Sequence, residues 1–249
     1  MSGQSVSLRG SSDEVHVKKR IAEGCQQFLG LELLCGEGAL VPRAETELLA
    51  LAAIDALKMT SSPVVIDLCC GVGNLACAVA MYVPLARVWA TDLTDDCVRW
   101  TRQNVDKLGL GARIETVQGD LFKGLEGKGL ENNTDLIVCN PPYISTGRLA
   151  ADRAGLLKDE PREAFDGGPY GLSIHQRVLA EAPKFLKPSG WIVMEFGVGQ
   201  HRQLRRLFER RRAFDEITLV NDASGCPRVA VGRLRLARLS AARLSTESI

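Results

Sequence analysis

Metal chemistry, secretion and membrane insertion each leave marks that this chain lacks. Its three histidines are scattered, and its eight cysteines, at 25, 35, 69, 70, 77, 97, 139 and 226, form no CxxC pair. Ligand spacing for zinc or for a redox pair is therefore missing, no metal is expected, and the cysteines read as buried thiols. No apolar run approaches the length needed to cross a bilayer. Residues 1–12 are polar and hold no apolar segment of a secretory signal, so a cytoplasmic protein with no membrane partner is expected. Net charge is only +1, which gives no global field to draw in nucleic acid. Internal repeats are absent too. What remains is ordinary globular usage: 249 residues, 45% hydrophobic and 24% charged, enough for one large domain with a sizeable core.

Charge is uneven locally. Residues 201–212 hold six arginines, with Leu204, Leu207 and Phe208 at helical spacing, and Arg235, Arg238 and Arg243 follow in the tail. The pattern reads as a helix with a solvated basic face and a frayed end.

Asn140-Pro141-Pro142-Tyr143 carries the most information. It follows the apolar run Leu136-Ile137-Val138-Cys139, where a buried strand delivers its end to a cleft. Two prolines fix φ near −65° and hold the preceding residue extended, so Asn140 and Tyr143 sit on a stiff backbone. The Asn140 side-chain oxygen and the Pro141 carbonyl could each accept from an NH2 group, while the Tyr143 ring covers the planar group that carries it. The bland alternative is a rigid Asn-Pro turn.

Three more strand ends weigh against that alternative. Val64-Val65-Ile66-Asp67-Leu68 breaks into Cys69-Cys70-Gly71-Val72-Gly73 and then a helix over 74–82, the strand, glycine loop and helix of nucleotide-binding units. A second strand, 87–91, ends in Asp92, 25 positions after Asp67 and placed to accept the hydroxyls of a ribose. A third, 113–118, ends in Gly119-Asp120-Leu121, where Asp120 could accept from an exocyclic amine and Leu121 could pack on a purine. Four strand ends thus present a glycine loop, two acids and the Asn-Pro-Pro-Tyr corner to one edge of one sheet.

This constellation resembles the class I S-adenosylmethionine methyltransferases, and more closely the HemK-type glutamine methyltransferases of peptide-chain release factors. Val41-Pro42-Arg43-Ala44-Glu45-Thr46-Glu47 is similar to that family's segment before the first sheet strand, and Glu160-Pro161-Arg162-Glu163-Ala164-Phe165-Asp166-Gly167-Gly168-Pro169-Tyr170-Gly171 to its long loop after the catalytic motif. The similarity runs from about Phe28 to Arg233. The resemblance implies that Cys69, Cys70, Gly71, Val72 and Gly73 wrap the methionine part of S-adenosylmethionine, Asp92 holds its ribose and Asp120 and Leu121 meet its adenine. Asp67 and Asn140 are counted with the same site. It implies further that Asn140, Pro141, Pro142 and Tyr143 bind the acceptor nitrogen. Departures are Cys69 in place of the first loop glycine, Ala44 in place of a proline and Tyr170 in place of an acid. Only about 28 residues precede the matching region, where the family carries a helical docking domain.

The expected fold is α/β, a Rossmann-like class I methyltransferase sheet with a C-terminal antiparallel hairpin over 214–220 and 228–233, plus a short N-terminal helix and β-hairpin. The helix is expected over 13–28, with Ile21, Cys25 and Phe28 on one face, and the hairpin over 31–41. Helices follow over 45–59, 94–108 and 171–186, with a fifth strand over 191–196 and a long loop, 144–168, placed to close over the acceptor. Boundaries fall as a cap over 1–43, a catalytic domain over 44–233 and a basic tail over 234–249. The expected reaction is methyl transfer to a planar nitrogen. A protein glutamine amide, release-factor-like, leads; a small-molecule amine is the alternative; adenine in nucleic acid ranks below both, and a non-catalytic binding domain is opposed by the intact corner.

Overall fold

A seven-stranded sheet orders the molecule, and its centre is where the chain reverses its direction of winding. The computed structural model describes residues 19, 20, 22–151 and 160–236. Residues 1–12, the first part of the expected 13–28 helix, part of the 144–168 loop, and Arg238 and Arg243 of the expected tail lie outside the described residues. A small antiparallel pair comes first: β1 (Cys25–Phe28) and β2 (Leu31–Leu34). Then follow α1 (Glu47–Ala56), β3 (Val64–Leu68), α2 (Asn74–Tyr82), β4 (Arg87–Asp92), α3 (Asp95–Lys107), β5 (Ile114–Gln118) and β6 (Thr134–Cys139). The chain continues through α4 (Thr146–Ala151), α5 (Ser173–Phe185), β7 (Leu186–Glu195), α6 (His201–Arg211), β8 (Phe214–Asn221) and β9 (Pro227–Leu234). Strand order is β5-β4-β3-β6-β7-β9-β8, with β3 to β7 parallel and β9 antiparallel to both neighbours. Between β3 and β6 the order reverses, and ligands of open α/β sheets bind at such a point.

The central strands are near-continuous apolar runs because both faces are covered. Val65, Val88, Ala90, Leu136, Val138 and Val193 point to one face and pack under α1, α2 and α3. Ile66, Leu68, Ile137, Cys139, Ile192 and Met194 alternate to the other and meet α5 and α6 through Val178, Leu179, Leu204 and Phe208. On α6 this leaves Arg202, Arg205, Arg206, Arg210 and Arg211 exposed, as the spacing of its apolar residues requires. Among the described residues no helix is long and apolar enough to cross a membrane.

Two expectations are corrected. The helix expected to reach residue 28 stops by Glu23, and Cys25–Phe28 is a strand paired with Leu31–Leu34, so the hairpin sits earlier than 31–41. Gly24 at φ 69° ends the helical turn. Leu29 and Gly30, at φ 45° and 76°, form a two-residue turn whose twist matches paired strands. Helical spacing of Cys25 and Phe28 concealed an equally good alternating pattern. The fifth sheet strand also starts before residue 191, because a bulge at Ser189, φ 67°, lets Leu186 pair with Thr134 before Trp191 pairs with Leu136.

The hairpin is bolted to the body close to the glycine loop. The fully buried Asn104 of α3 accepts from Leu34 N at 2.6 Å and donates to Leu34 O and Val72 O, both at 2.9 Å. One amide therefore fixes both the cap and the loop.

Candidate active site

A cavity of about 410 Å³ opens at the carboxyl ends of β3, β4, β5 and β6. Its size suits a cofactor or drug-sized ligand. Cys69, Cys70, Gly71, Asp92, Asp120, Leu121, Asn140 and Pro142 lie on its wall. Asp67, Val72, Gly73, Pro141 and Tyr143, also singled out from the sequence, are not on it.

Asp67 and Gly73 shape the wall from behind. Asp67 is fully buried; its Oδ2 accepts from Ala76 N at 3.0 Å, tying the end of β3 to the first turn of α2, and burial pushes its pKa well above the usual carboxylate range. Gly73, φ 82°, lies so close to α3 that a Cβ would stand 2.8 Å from Thr101 Cγ2. Only a glycine lets the loop lie flat there. Gly71 faces open space instead, with no heavy atom of the described residues, its chain neighbours aside, within 4 Å of where its Cβ would be. Asp92 shapes the loop from the neighbouring strand: Oδ2 accepts from Gly71 N at 2.9 Å and Oδ1 from Thr94 N at 3.3 Å, while burial raises its pKa. Its two oxygens keep further lone pairs for a ligand.

Asp120 is less simple than the sequence suggests. Its Oδ2 accepts from Arg177 Nη2 at 2.7 Å, and this bond holds its pKa below the ordinary value. Arg177, on α5, lines the cavity too and was not anticipated.

The Asn-Pro-Pro-Tyr corner faces two ways. Asn140 borders the cavity, and its Nδ2 donates to Thr46 Oγ1 at 3.2 Å. Tyr143 turns inward: its hydroxyl donates to Glu195 Oε1 at 3.2 Å and accepts from Arg228 Nη2 at 3.3 Å, with the Arg228 guanidinium 6.0 Å from the ring centroid. Arg228 also stands 3.5 Å from Glu195 Oε1. Burial lifts Glu195 to about 7, with the Thr46 hydroxyl, Arg228 and Tyr143 opposing that rise. His175, fully buried, shares a 2.8 Å hydrogen bond with the Glu195 main-chain oxygen, and burial lowers its pKa to about 4.

The long loop locks onto this corner. Ile144 N donates to Phe165 O at 2.9 Å and Gly167 N to Ile144 O at 2.8 Å. At Gly171, φ 71°, a Cβ would fall 2.3 Å from Tyr143 O, so a bulkier residue would push the loop off the corner. Glu160, 4% exposed, accepts from Val41 N at 2.8 Å and from Arg43 Nη2 at 2.6 Å, strapping the segment before α1 to the loop.

Comparisons with known proteins decide the family. A "Methyltransferase small domain" model matches residues 46–156. A release factor glutamine methyltransferase of Moorella thermoacetica is 35% identical over 202 residues, 81% of this chain and 70% of that protein. One of Streptomyces coelicolor is 32% identical over 231 residues, 90% of this chain and 80% of the relative. This chain belongs to the release factor glutamine methyltransferase family. Its sheet also superposes on a methyltransferase from Pyrococcus furiosus, TM-score 0.60 at 17% identity, over 92% of this chain and all of that one (100%), which speaks for the fold. The chain is thus a methyltransferase with the Rossmann-like sheet and terminal antiparallel hairpin expected from its sequence.

Sequence reasoning about this methyltransferase missed Thr46, Glu195, Arg228, Arg177 and the strap through Glu160. One signal was available. Glu195 is a lone acid closing the apolar run Trp191-Ile192-Val193-Met194, and an acid in such a strand is buried with partners or at a site. Its partners Arg228, Tyr143 and Thr46 stand 33, 52 and 149 positions away and leave no local trace.

Proposed function

We propose that this chain transfers a methyl group from S-adenosylmethionine to the side-chain amide nitrogen of a glutamine in a peptide-chain release factor. The observation that carries the reading is Asn140. It sits at the end of β6 on the cavity wall, beside the glycine loop, with its Nδ2 already engaged by Thr46 so that its Oδ1 is left to accept from an incoming NH2. The relatives, named as release factor glutamine methyltransferases, support a protein glutamine as the carrier of that NH2.

The residues fit the cofactor. Gly71 leaves open space for a backbone approach, Asp92 has acceptors to spare for a ribose, and Leu121 lines the cavity beside the Asp120–Arg177 pair. When bound, S-adenosylmethionine supplies an electrophilic methyl on a positively charged sulfur. The chain must supply the rest.

An amide nitrogen is a poor nucleophile, because its lone pair is delocalised into the carbonyl. Asn140 Oδ1, with the Pro141 carbonyl next to it, accepts the two amide hydrogens and pushes electron density onto nitrogen. It also favours the pyramidal geometry in which the lone pair faces the methyl. Most of the acceleration is positioning and preorganised electrostatics, effects able to supply several kcal/mol. No base is needed at the nitrogen itself, since the proton leaves readily once the nitrogen has been methylated. The loop locked onto Tyr143 holds the corner in place.

The test is to incubate the purified full-length chain with methyl-labelled S-adenosylmethionine and a release factor from the same cells. Label on one glutamine of the release factor is the expected result. Label confined to small molecules, with none in protein, overturns the assignment.

A further inference from the structure

Behind Asn140 lies a buried polar cluster of which the reaction as derived uses only the Thr46 hydroxyl. Thr46 is 2% exposed and Glu195 1%, and they come from the turn before α1 and the end of β7. The Thr46 hydroxyl accepts from Asn140 Nδ2 and lies against the Glu195 carboxyl, where it favours the ionised form. Among the described residues Glu195 Oε2 has no hydrogen bond of normal geometry, although it is buried. Its other oxygen faces the Tyr143 hydroxyl and Arg228, so the buried acid is only half provided for, and that is costly. The charge needs another reason to be there.

A threonine hydroxyl has one proton to donate. If that proton goes to a carboxylate, the oxygen can only accept from the other side, and the amide facing it must present its NH2. If instead the neighbouring acid is protonated and donates to the threonine oxygen, the threonine proton is released towards the amide. The amide is then drawn to turn its oxygen inward and its NH2 to the cavity. An NH2 there cannot accept from another NH2.

We propose that Thr46 and Glu195 are positioning residues that set the direction of the Asn140 amide, the ionised carboxylate holding the Thr46 proton so that Asn140 Oδ1 is kept facing the acceptor. The inference rests on the functional reading above, in which Asn140 accepts from the substrate amide. Charged and titratable groups around the carboxyl are Arg228 on β9, Tyr143 of the corner and Glu45 beside Thr46, while His175 on α5 meets the main-chain oxygen. Burial keeps both Tyr143 and His175 neutral near pH 7, Tyr143 by raising its pKa and His175 by lowering it to about 4. Glu195, lifted by burial to about 7, is the group whose charge changes near neutrality.

The experiment compares the parent with T46V, T46S, E195Q and N140A, using labelled S-adenosylmethionine and the intact release factor. In the parent, kcat falls as pH is lowered through about 7. T46V lowers kcat about tenfold to a hundredfold with cofactor affinity unchanged, the loss expected when a hydrogen bond that orients a polar group is removed. T46S, which restores the hydroxyl, recovers most of that loss. E195Q lowers kcat above pH 7 and flattens the profile. Independently of turnover, the Asn140 side-chain NH2 signals in the nuclear magnetic resonance spectrum of the parent shift with the same midpoint, and this needs no folded variant. If N140A is inactive while T46V and E195Q keep the parent kcat and pH profile, or if the parent NH2 signals do not titrate, the positioning role is refuted. If N140A itself transfers methyl normally, the functional reading has failed instead.

Discussion

The cofactor half of the cavity and the acceptor corner are built by opposite means. In the first, the two buried acids are held by backbone close in sequence, Asp67 by Ala76 N nine positions on and Asp92 by Thr94 N two positions on and by Gly71 N 21 positions back, and only Asp120 takes a remote side chain, Arg177 57 positions on. In the second, each polar partner is imported: Thr46 to Asn140 across 94 positions, Glu195 to Tyr143 across 52, Arg228 to Tyr143 across 85. Loop conformation shapes the first, and side-chain hydrogen bonds in a low-dielectric interior shape the second. The lesson is that binding geometry here is local and catalytic geometry is tertiary. Substitutions in the two halves should fail differently.

The largest effect is expected at the acceptor corner. Asn140→Ala should lower transfer by about a thousandfold or more, the scale of losing one preorganised group at a reacting centre, while calorimetric binding of S-adenosylmethionine stays near that of the parent. Loss of binding together with turnover would show that the two halves are not separable.

Next comes a stability difference from the same corner. Burial raises Glu195 from 4.5 to about 7, so between those values the folded chain keeps a proton that the unfolded chain has released. Stability from this group is complete below pH 4.5 and is lost as pH rises through about 7. Relative to E195Q, the unfolding free energy of the parent should therefore fall by about 3 kcal/mol across that window and stay level outside it. His175 is common to both chains and drops out of the difference. Denaturant unfolding at several pH values checks this, and a flat difference curve would mean the carboxyl is well solvated or fully paired.

A smaller effect belongs to the cofactor half. Asp92→Asn keeps the shape but replaces one acceptor oxygen by an NH2 that faces Gly71 N or Thr94 N, and it removes the charge offered to a ligand. Affinity for S-adenosylmethionine should fall by about thirtyfold, roughly 2 kcal/mol, with kcat at saturating cofactor little changed. A drop in kcat without a change in affinity would reverse the roles of the two halves.

This division also explains what was legible in the sequence. Strand ends, the glycine loop and the order of elements could be read because β-branched runs and glycines dictate local backbone directly. Asn140 could be read because two prolines announce a stiff corner. The direction of its amide could not, since Thr46 sits in a segment that showed only its family likeness and Glu195 at the end of another strand. Tyr143 was expected over the acceptor but turns inward, because Glu195 and Arg228, both remote in sequence, take its hydroxyl. Cys25–Phe28 was read as helix because three or four apolar residues fit either period, and the deciding Gly24 and Gly30 act through dihedral angles rather than hydrophobicity.

The smallest effect tests whether the cofactor loop is governed by backbone alone. Cys69 stands at φ 58°, in the left-handed region that costs a residue with a Cβ about 1 kcal/mol. Cys69→Gly should remove that strain, offset in part by the greater freedom of glycine in the unfolded chain, for a net gain of a few tenths of a kcal/mol and a melting temperature higher by about 1 °C. Against this stands the thiol, which packs on the core face under α5 and α6 and interacts with Cys139 next to Asn140. If the melting temperature falls instead, the Cys69 side chain is a tertiary contact reaching from the cofactor loop to the acceptor corner, and the boundary between local and imported geometry lies inside the loop itself.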